Sequence, residues 1–183
     1  MPTVATAFDK IKEEITVIRK EAAERAVKRK KEAEEAAKRA KEEKEKMDEI
    51  LKTAEKIDVT PDEDKGVLKQ VIKEGKPDTS PPEGMRVVAH YTGTLLDGTK
   101  FDSSRDRDST FDFDIGQNQV IKCWDLAFAT MNIGERAMLT CEPEYAYGER
   151  GSPPKIPPDA TLKFDVELIS WRDAYAPDAK DEL

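Results

Sequence analysis

Phe101-Asp-Ser-Ser-Arg-Asp-Arg-Asp-Ser-Thr-Phe111-Asp-Phe113-Asp-Ile-Gly-Gln-Asn-Gln-Val120-Ile121-Lys-Cys-Trp124 is the stretch on which the reading of this chain turns. It opens as a polar loop bounded by two phenylalanines and continues as a short alternating strand. It then breaks at Gly116 and ends in an apolar step into a tryptophan. These 24 positions hold Phe101, Phe111, Phe113 and Trp124, in a chain whose aromatics number only six Phe, four Tyr and two Trp. Such crowding, with polar groups between, is either packed core or an apolar pocket with a few aimed polar groups. Pattern alone leaves both open.

Working outward, the flanking sequence reads as strands. Val67–Glu74, Met85–Thr92, Phe111–Ile115 and Ala137–Cys141 alternate or run apolar between turn residues, with Asp97-Gly98 a turn signal. Leu162, Phe164, Val166 and Leu168 alternate with Lys163, Asp165 and Glu167, the cleanest half-buried strand in the chain. Val120, Ile121, Trp124, Phe128 and Met131 recur at helical spacing. About five antiparallel strands with one short amphipathic helix across them predict an α+β domain.

Residues 1–58 are of another kind. Between Thr3 and Asp58 there is no Gly or Pro, and Ala, Glu, Lys and Arg dominate, all strong helix formers. Val4, Phe8, Ile11, Ile15, Ile18 and Ala22 mark a heptad seam, a stutter follows at Ala26, and the seam resumes through Ala33, Ala36, Ala40, Met47, Ile50, Ala54 and Ile57. Arg29 and Glu43 interrupt it. This predicts one long helix, either a coiled-coil strand that meets another helix or a lone helix held by i,i+4 Glu–Lys pairs. The run Lys28–Lys31 is surrounded by glutamates and reads as a solvated face. The predicted organisation is therefore a helix over 1–58, a Pro- and Gly-punctuated acidic linker over 59–65, a domain over 66–171 and a loose tail over 172–183.

Charge follows the same division. Of 31 Lys/Arg and 39 Asp/Glu, residues 1–58 hold 16 and 15, which leaves 15 and 24 for the rest. An acidic domain is a poor match to a phosphate backbone, so nucleic-acid binding is not expected. No apolar run approaches the ~20 residues a membrane helix needs. The first residues become charged too soon for the apolar segment of a signal peptide, yet the chain ends Lys180-Asp-Glu-Leu183, an ER-retrieval pattern. The expected setting is cytoplasmic or cytoskeleton-associated, with the ER lumen as the alternative. Cys123 and Cys141 lie among apolar residues in no disulfide-dense pattern, and two buried free thiols are expected.

Several chemistries lack their residues. The one histidine, His90, sits inside an apolar strand and reads as a packed side chain rather than a catalytic base. No Cys/His cluster has zinc spacing, and the loop from Asp102 has Arg107 and Phe113 where a calcium loop needs Gly and Glu. There is no glycine-rich phosphate cradle. No metal or cofactor is expected.

The remaining constellation carries a resemblance. Val88-Ala-His-Tyr-Thr-Gly93, Leu96-Asp-Gly-Thr-Lys-Phe-Asp-Ser-Ser-Arg-Asp-Arg107, Gly116-x-x-x-Val-Ile-x-x-Trp124, Tyr145-Ala-Tyr-Gly148 and Ile156-Pro-Pro-x-Ala-Thr-Leu-x-Phe-Asp-Val-Glu-Leu168 resemble, in order and spacing, the FKBP family of macrolide-binding peptidyl-prolyl isomerases. The likeness spans about residues 66–171. It implies a sheet wrapped around the short helix with a pocket between them, floored by Trp124 and walled by Tyr91, Phe101, Phe111, Val120, Ile121 and Phe164. Asp102 and Tyr147 would then hydrogen-bond the ligand, the Ile121 N–H would hold a carbonyl, Arg107 would brace Asp102, and Ile156 would sit on a flap. Gln119 belongs to the same ligand-binding set but stands where an acidic residue is common in the family. Cys123, Ser152 and Lys155 also occupy variable positions. The implied partners are proline-containing peptides and tacrolimus- or rapamycin-type macrolides. Residues 1–58 add a helical partner or a larger assembly, such as a cytoskeletal one. A scaffold that binds proline segments without turnover is the alternative function.

Overall fold

The computed structural model describes residues 4–173, with side chains described from Lys12 onward. The tail after Asp173, including the Lys180–Leu183 ending, lies outside the described residues. Two compact units separate, residues 1–49 and 50–183.

The first unit is most of a single helix, α1 (Val4–Thr53). Its interior lacks Gly and Pro, and Arg25–Glu21, Lys28–Glu32, Lys38–Glu42 and Lys41–Glu45 pair one turn apart at 3.6–3.9 Å. Such exposed pairs contribute about 0.2–0.5 kcal/mol each to a helix. The helix stops short of Asp58 because the chain turns to strand: β1 (Ile57–Asp58) pairs with Lys69 and Leu68 of β2 (Val67–Lys73). Within the second unit the amide of Gln70 donates to Leu51 O and Ala54 O at 2.9 and 3.0 Å, which satisfies carbonyls that a helix end leaves open.

Segment 59–65, read as a linker, is a hydrogen-bonded loop. Asp58 accepts from the N–H and hydroxyl of Thr60 and from the Lys65 N–H, and Asp64 accepts from the Gly66 N–H at 2.9 Å. Burial works against ionisation of Asp58 and Asp64 less than these bonds favour it, led by the Thr60 hydroxyl on Asp58 and the Tyr145 hydroxyl on Asp64, so both carboxyls titrate below their usual range. Gly66 is required here by close approach: a Cβ would stand 2.1 Å from Cε2 of Tyr145.

The remaining elements are β3 (Met85–Leu95), β4 (Lys100–Ser103), β5 (Phe111–Asp114), α2 (Lys122–Ala129), β6 (Arg136–Cys141) and β7 (Leu162–Asp173). The antiparallel sheet runs β1-β2-β6-β7-β3-β4, with β5 also paired to β3. The α+β expectation holds, with two short strands, β1 and β4, added to the five read from alternation. β3 is the hub, since it pairs with β4, β5 and β7. Its Val87, Ala89 and Tyr91 face inward with Leu162, Phe164, Val166 and Leu168 of β7 and with Ala137 and Leu139 of β6. α2 buries Cys123, Trp124, Ala127 and Phe128 in that core. Each large apolar side chain so buried contributes about 1.5–3 kcal/mol.

One finding overturns the sequence reading, and a second lies beyond it. Cys123 and Cys141 are joined in a disulfide rather than held as free thiols. The first turn of α2 packs on the end of β6, which brings their Cα atoms to 5.8 Å, within bridging reach. Lys69, in the apolar alternation of β2, is also inside: its ammonium pairs with Glu135 at 3.0 Å and donates to Thr130 O at 3.1 Å, with Lys69 5% and Glu135 2% exposed. The second Glu135 oxygen accepts the Asn132 N–H at 2.9 Å.

Candidate active site

A cavity of about 230 Å³ opens between the sheet and the N-terminal end of α2, lined by Tyr91, Phe101, Asp102, Phe111, Gln119, Val120, Ile121, Trp124, Tyr147 and Phe164. They are gathered from separate parts of the topology. Tyr91 is on β3, Phe101 and Asp102 on β4, Phe111 on β5 and Phe164 on β7. Trp124 is in the first turn of α2, and Tyr147 lies between the turns at 143–145 and 148–150.

The rings meet edge to face. Trp124 stands against Tyr91 at 4.8 Å, Phe164 at 5.3 Å and Phe111 at 5.6 Å between centroids, with interplanar angles of 67°, 82° and 80°. Phe101 meets Phe164 at 5.7 Å and 87°. This is the arrangement that ring quadrupoles favour over flat stacking. It makes rigid walls rather than a filled core. Trp124 is 5% exposed, and its Nε1 finds no hydrogen-bond partner among the described residues, so it keeps a donor that the fold does not consume. Phe113 lies behind the lining, packed on Phe128 at 5.3 Å.

Phe101 can stand where it does because residue 93 is glycine. A Cβ there would fall 2.5 Å from Cζ of Phe101 and 3.0 Å from Cε1 of Phe164. Sequence reading did not single out Gly93, although it lies directly after Tyr91-Thr92 in the strand that forms the wall. Ser103 and Ser104, also passed over, are both buried. The Ser104 hydroxyl accepts the Tyr91 N–H at 2.9 Å and contacts Nδ1 of His90 at 3.0 Å, while the Ser104 N–H donates to Tyr91 O at 3.1 Å. These bonds fasten the loop after Asp102 to β3. His90 is thereby a locally bonded side chain.

Asp102 is the fixed charge of the site. Oδ2 accepts the Tyr91 hydroxyl, and Oδ1 accepts Arg107 Nη1 and, at 2.9 Å, the Ser103 N–H. Arg107 Nη2 also donates to the Tyr91 hydroxyl at 2.9 Å, and the guanidinium sits 5.8 Å from the Tyr91 ring centre. Burial pushes the Asp102 carboxyl up, but the hydrogen bonds from Tyr91, Arg107 and Ser103 outweigh it and hold the group below its ordinary range. Burial, then the bond to Asp102, raises the Tyr91 phenol. Burial and the Asp102 charge raise Tyr147, which is 42% exposed and whose hydroxyl has no partner among the described residues. So Asp102 stays ionised, and both tyrosines stay neutral donors.

The rim is set by the turn before α2. The Asp125 carboxylate accepts the Gly116 N–H at 2.9 Å, and the Gln119 amide exchanges two 3.0 Å bonds with Asp114. Ile121, the residue capping α2, has extended backbone, so its N–H is not used inside the helix. Two site residues named from sequence stand outside the cavity. Arg107 lines an adjoining groove of about 440 Å³ with Lys100 and Lys155, and acts on the site through Asp102 and Tyr91. Ile156 is buried, bonded in both directions to Ser152 at 2.9–3.0 Å, and touches a third hollow shared with Phe101, Asp102 and Tyr147. Among the described residues no group of acidic, His or Cys side chains has the arrangement of a metal site.

The model of the FKBP-type peptidyl-prolyl cis-trans isomerase family matches residues 78–169. The chain belongs to that family. The match contains the cavity-lining residues together with Arg107 and Ile156. Among similar FKBP proteins, peptidyl-prolyl cis-trans isomerase FKBP4 of Mus musculus and of Homo sapiens are each 58% identical over 118 residues, 64% of this chain and 26% of theirs. Peptidyl-prolyl cis-trans isomerase Fkbp12 of Drosophila melanogaster is 55% identical over 104 residues, 57% of this chain and 96% of that protein. The chain thus spans about a quarter of the length of the FKBP4 relatives and nearly all of the short one.

Proposed function

We propose that the chain is a peptidyl-prolyl cis–trans isomerase that turns X–Pro bonds in the aromatic slot, and that residues 1–58 tether it to a helical partner or a larger assembly. The observation that carries the first part is the slot itself: edge-to-face rings around about 230 Å³, with one braced carboxylate at its side. Rotation about X–Pro is opposed by about 18–20 kcal/mol of amide resonance and takes tens to hundreds of seconds unaided. The twisted transition state has lost that resonance, so its carbonyl is less dipolar and its nitrogen more pyramidal. A dry aromatic site that binds the twisted form better than the planar one lowers the barrier without nucleophile or metal, tenfold for each ~1.4 kcal/mol of preference.

In this reading Trp124, Tyr91, Phe101 and Phe164 hold the proline ring, while Phe111 and Val120 close the lip. Tyr147 and the Ile121 N–H donate to peptide carbonyls, and Asp102 orients the peptide while braced by Arg107. Gln119 keeps the rim in place through Asp114, and Ile156 anchors the flap. The same slot would take the proline-like ring of a tacrolimus- or rapamycin-type macrolide.

A protease-coupled assay on an X–Pro peptide tests this. Acceleration is expected, and a stoichiometric macrolide of that type should abolish it. Peptide binding with no acceleration would instead favour a scaffold that only holds proline segments.

A further inference from the structure

We infer that the partner of the N-terminal helix is a second copy of this chain, docked in parallel and in register along the seam that ends at Ala22. Ile15 is 43% and Ile18 64% exposed, and the spacing of Ile15, Ile18 and Ala22 continues back in the sequence through Ile11, Phe8 and Val4. Around Ala22 the seam forms a groove of about 300 Å³ rimmed by Ile18, Glu21, Arg25 and Arg29. It is the kind of hole that receives a side chain from a facing coiled-coil helix.

The flanking charges choose both occupant and direction. With Ile15 and Ala22 at heptad position a and Ile18 at d, Glu14 and Glu21 occupy g while Lys12 and Arg19 occupy e. Parallel chains set g against e of the neighbour, so Glu14 of one copy meets Arg19 of the other. Antiparallel chains set g against g and e against e, acid on acid and base on base. Glu14 and Arg19 make no ion pair among the described residues, whereas further along the helix the charges pair within the chain.

Beyond the stutter the same rule turns against association. Arg25 would face Lys30 and Arg39 would face Lys44, with Arg29 and Glu43 on the seam. Self-docking is therefore confined to the first part of the helix, and the rest remains a solvated single helix. The inference deepens the tether but does not rest on isomerase activity.

Sedimentation equilibrium of the full chain from micromolar to millimolar concentration tests it. A concentration-dependent mass above 20.6 kDa is expected, returning to monomer in the double variant Ile15→Asp, Ile18→Asp with prolyl isomerisation unchanged. Glu14→Lys should weaken association roughly tenfold, and adding Arg19→Glu should restore it. A monomer at every concentration overturns the proposal. Association that survives the double aspartate variant overturns the seam. A charge swap that weakens without rescue overturns the parallel arrangement.

Discussion

The two units of this chain are ordered by different means. In the described part of α1 the residues are held by neighbours one turn away: backbone bonds, good propensity and exposed ion pairs such as Lys41–Glu45. In residues 50–173 the partners are distant in sequence, as with Tyr91 and Val166 across the sheet or Lys69 and Glu135 inside it. The contrast teaches where substitutions are felt. A solvated helix has little to lose at any one position, while a packed domain concentrates its stability in a few side chains. The site exists only in the second unit because a slot needs walls brought from many strands.

The sharpest way to break the comparison is to empty the core. Phe128→Ala, at a fully buried position of α2, should lower the stability of the domain by about 3–5 kcal/mol, read as a fall in the denaturant midpoint of tryptophan fluorescence. Lys41→Ala on the helix should change it by less than about 0.5 kcal/mol. Comparable losses at both positions would contradict the division.

The buried ion pair comes next. Lys69→Met strands the Glu135 carboxylate and should cost about 3–5 kcal/mol, and adding Glu135→Leu should recover most of it. Recovery distinguishes a stranded charge from simple loss of packing. A smaller effect is expected at the wall of the slot. Gly93→Ala places a methyl group against Phe101 and Phe164, and should lower kcat/KM for an X–Pro peptide by at least about tenfold, which is ~1.4 kcal/mol. An unchanged rate would show that Phe101 does not need its present position.

The smallest effects are titrations. The bond to Asp64 raises the Tyr145 phenol to about 12. A raised pKa favours the protonated form in the fold, so this contribution is complete below the unfolded tyrosine value near 10 and is lost as pH rises through about 12. Ultraviolet titration should show a tyrosine titrating near pH 12 that is absent in Tyr145→Phe. Asp102 has the opposite sign. Its lowered carboxyl contributes above the unfolded aspartate value near 3.9 and loses that contribution as pH falls through the folded one. In Asp102→Asn the acid limb of the stability profile should be shallower than in the wild type.

The long helix was legible because its signals are local and repeated, and β7 because Leu162 to Leu168 alternate without interruption. β1 was not, since two residues are too few to show a period, and neither was β4, because Lys100–Ser103 owes its pairing to β3. Lys69 looks like a solvent residue until Glu135, 66 positions away, is brought against it. The disulfide was hidden for the same reason, because nothing in the sequence says that the first turn of α2 lies on the end of β6. At the site, the aromatics announced themselves by crowding between Phe101 and Trp124. The parts that aim them did not. Gly93 matters only because two rings close over it, and Ser103 and Ser104 only because their hydroxyls reach Tyr91.

In the proposed mechanism a braced carboxylate and a cage of rings turn X–Pro bonds without a nucleophile or a metal. The most direct test is kcat/KM for an X–Pro peptide, measured on the wild type and on Asp102→Val under conditions where both keep the same unfolding midpoint. Catalysis by the wild type is expected, with a fall of roughly ten- to a hundredfold in the variant, about 1.4–2.7 kcal/mol of transition-state orientation. A wild type that does not accelerate the rotation, or a variant as fast as the wild type, would contradict it.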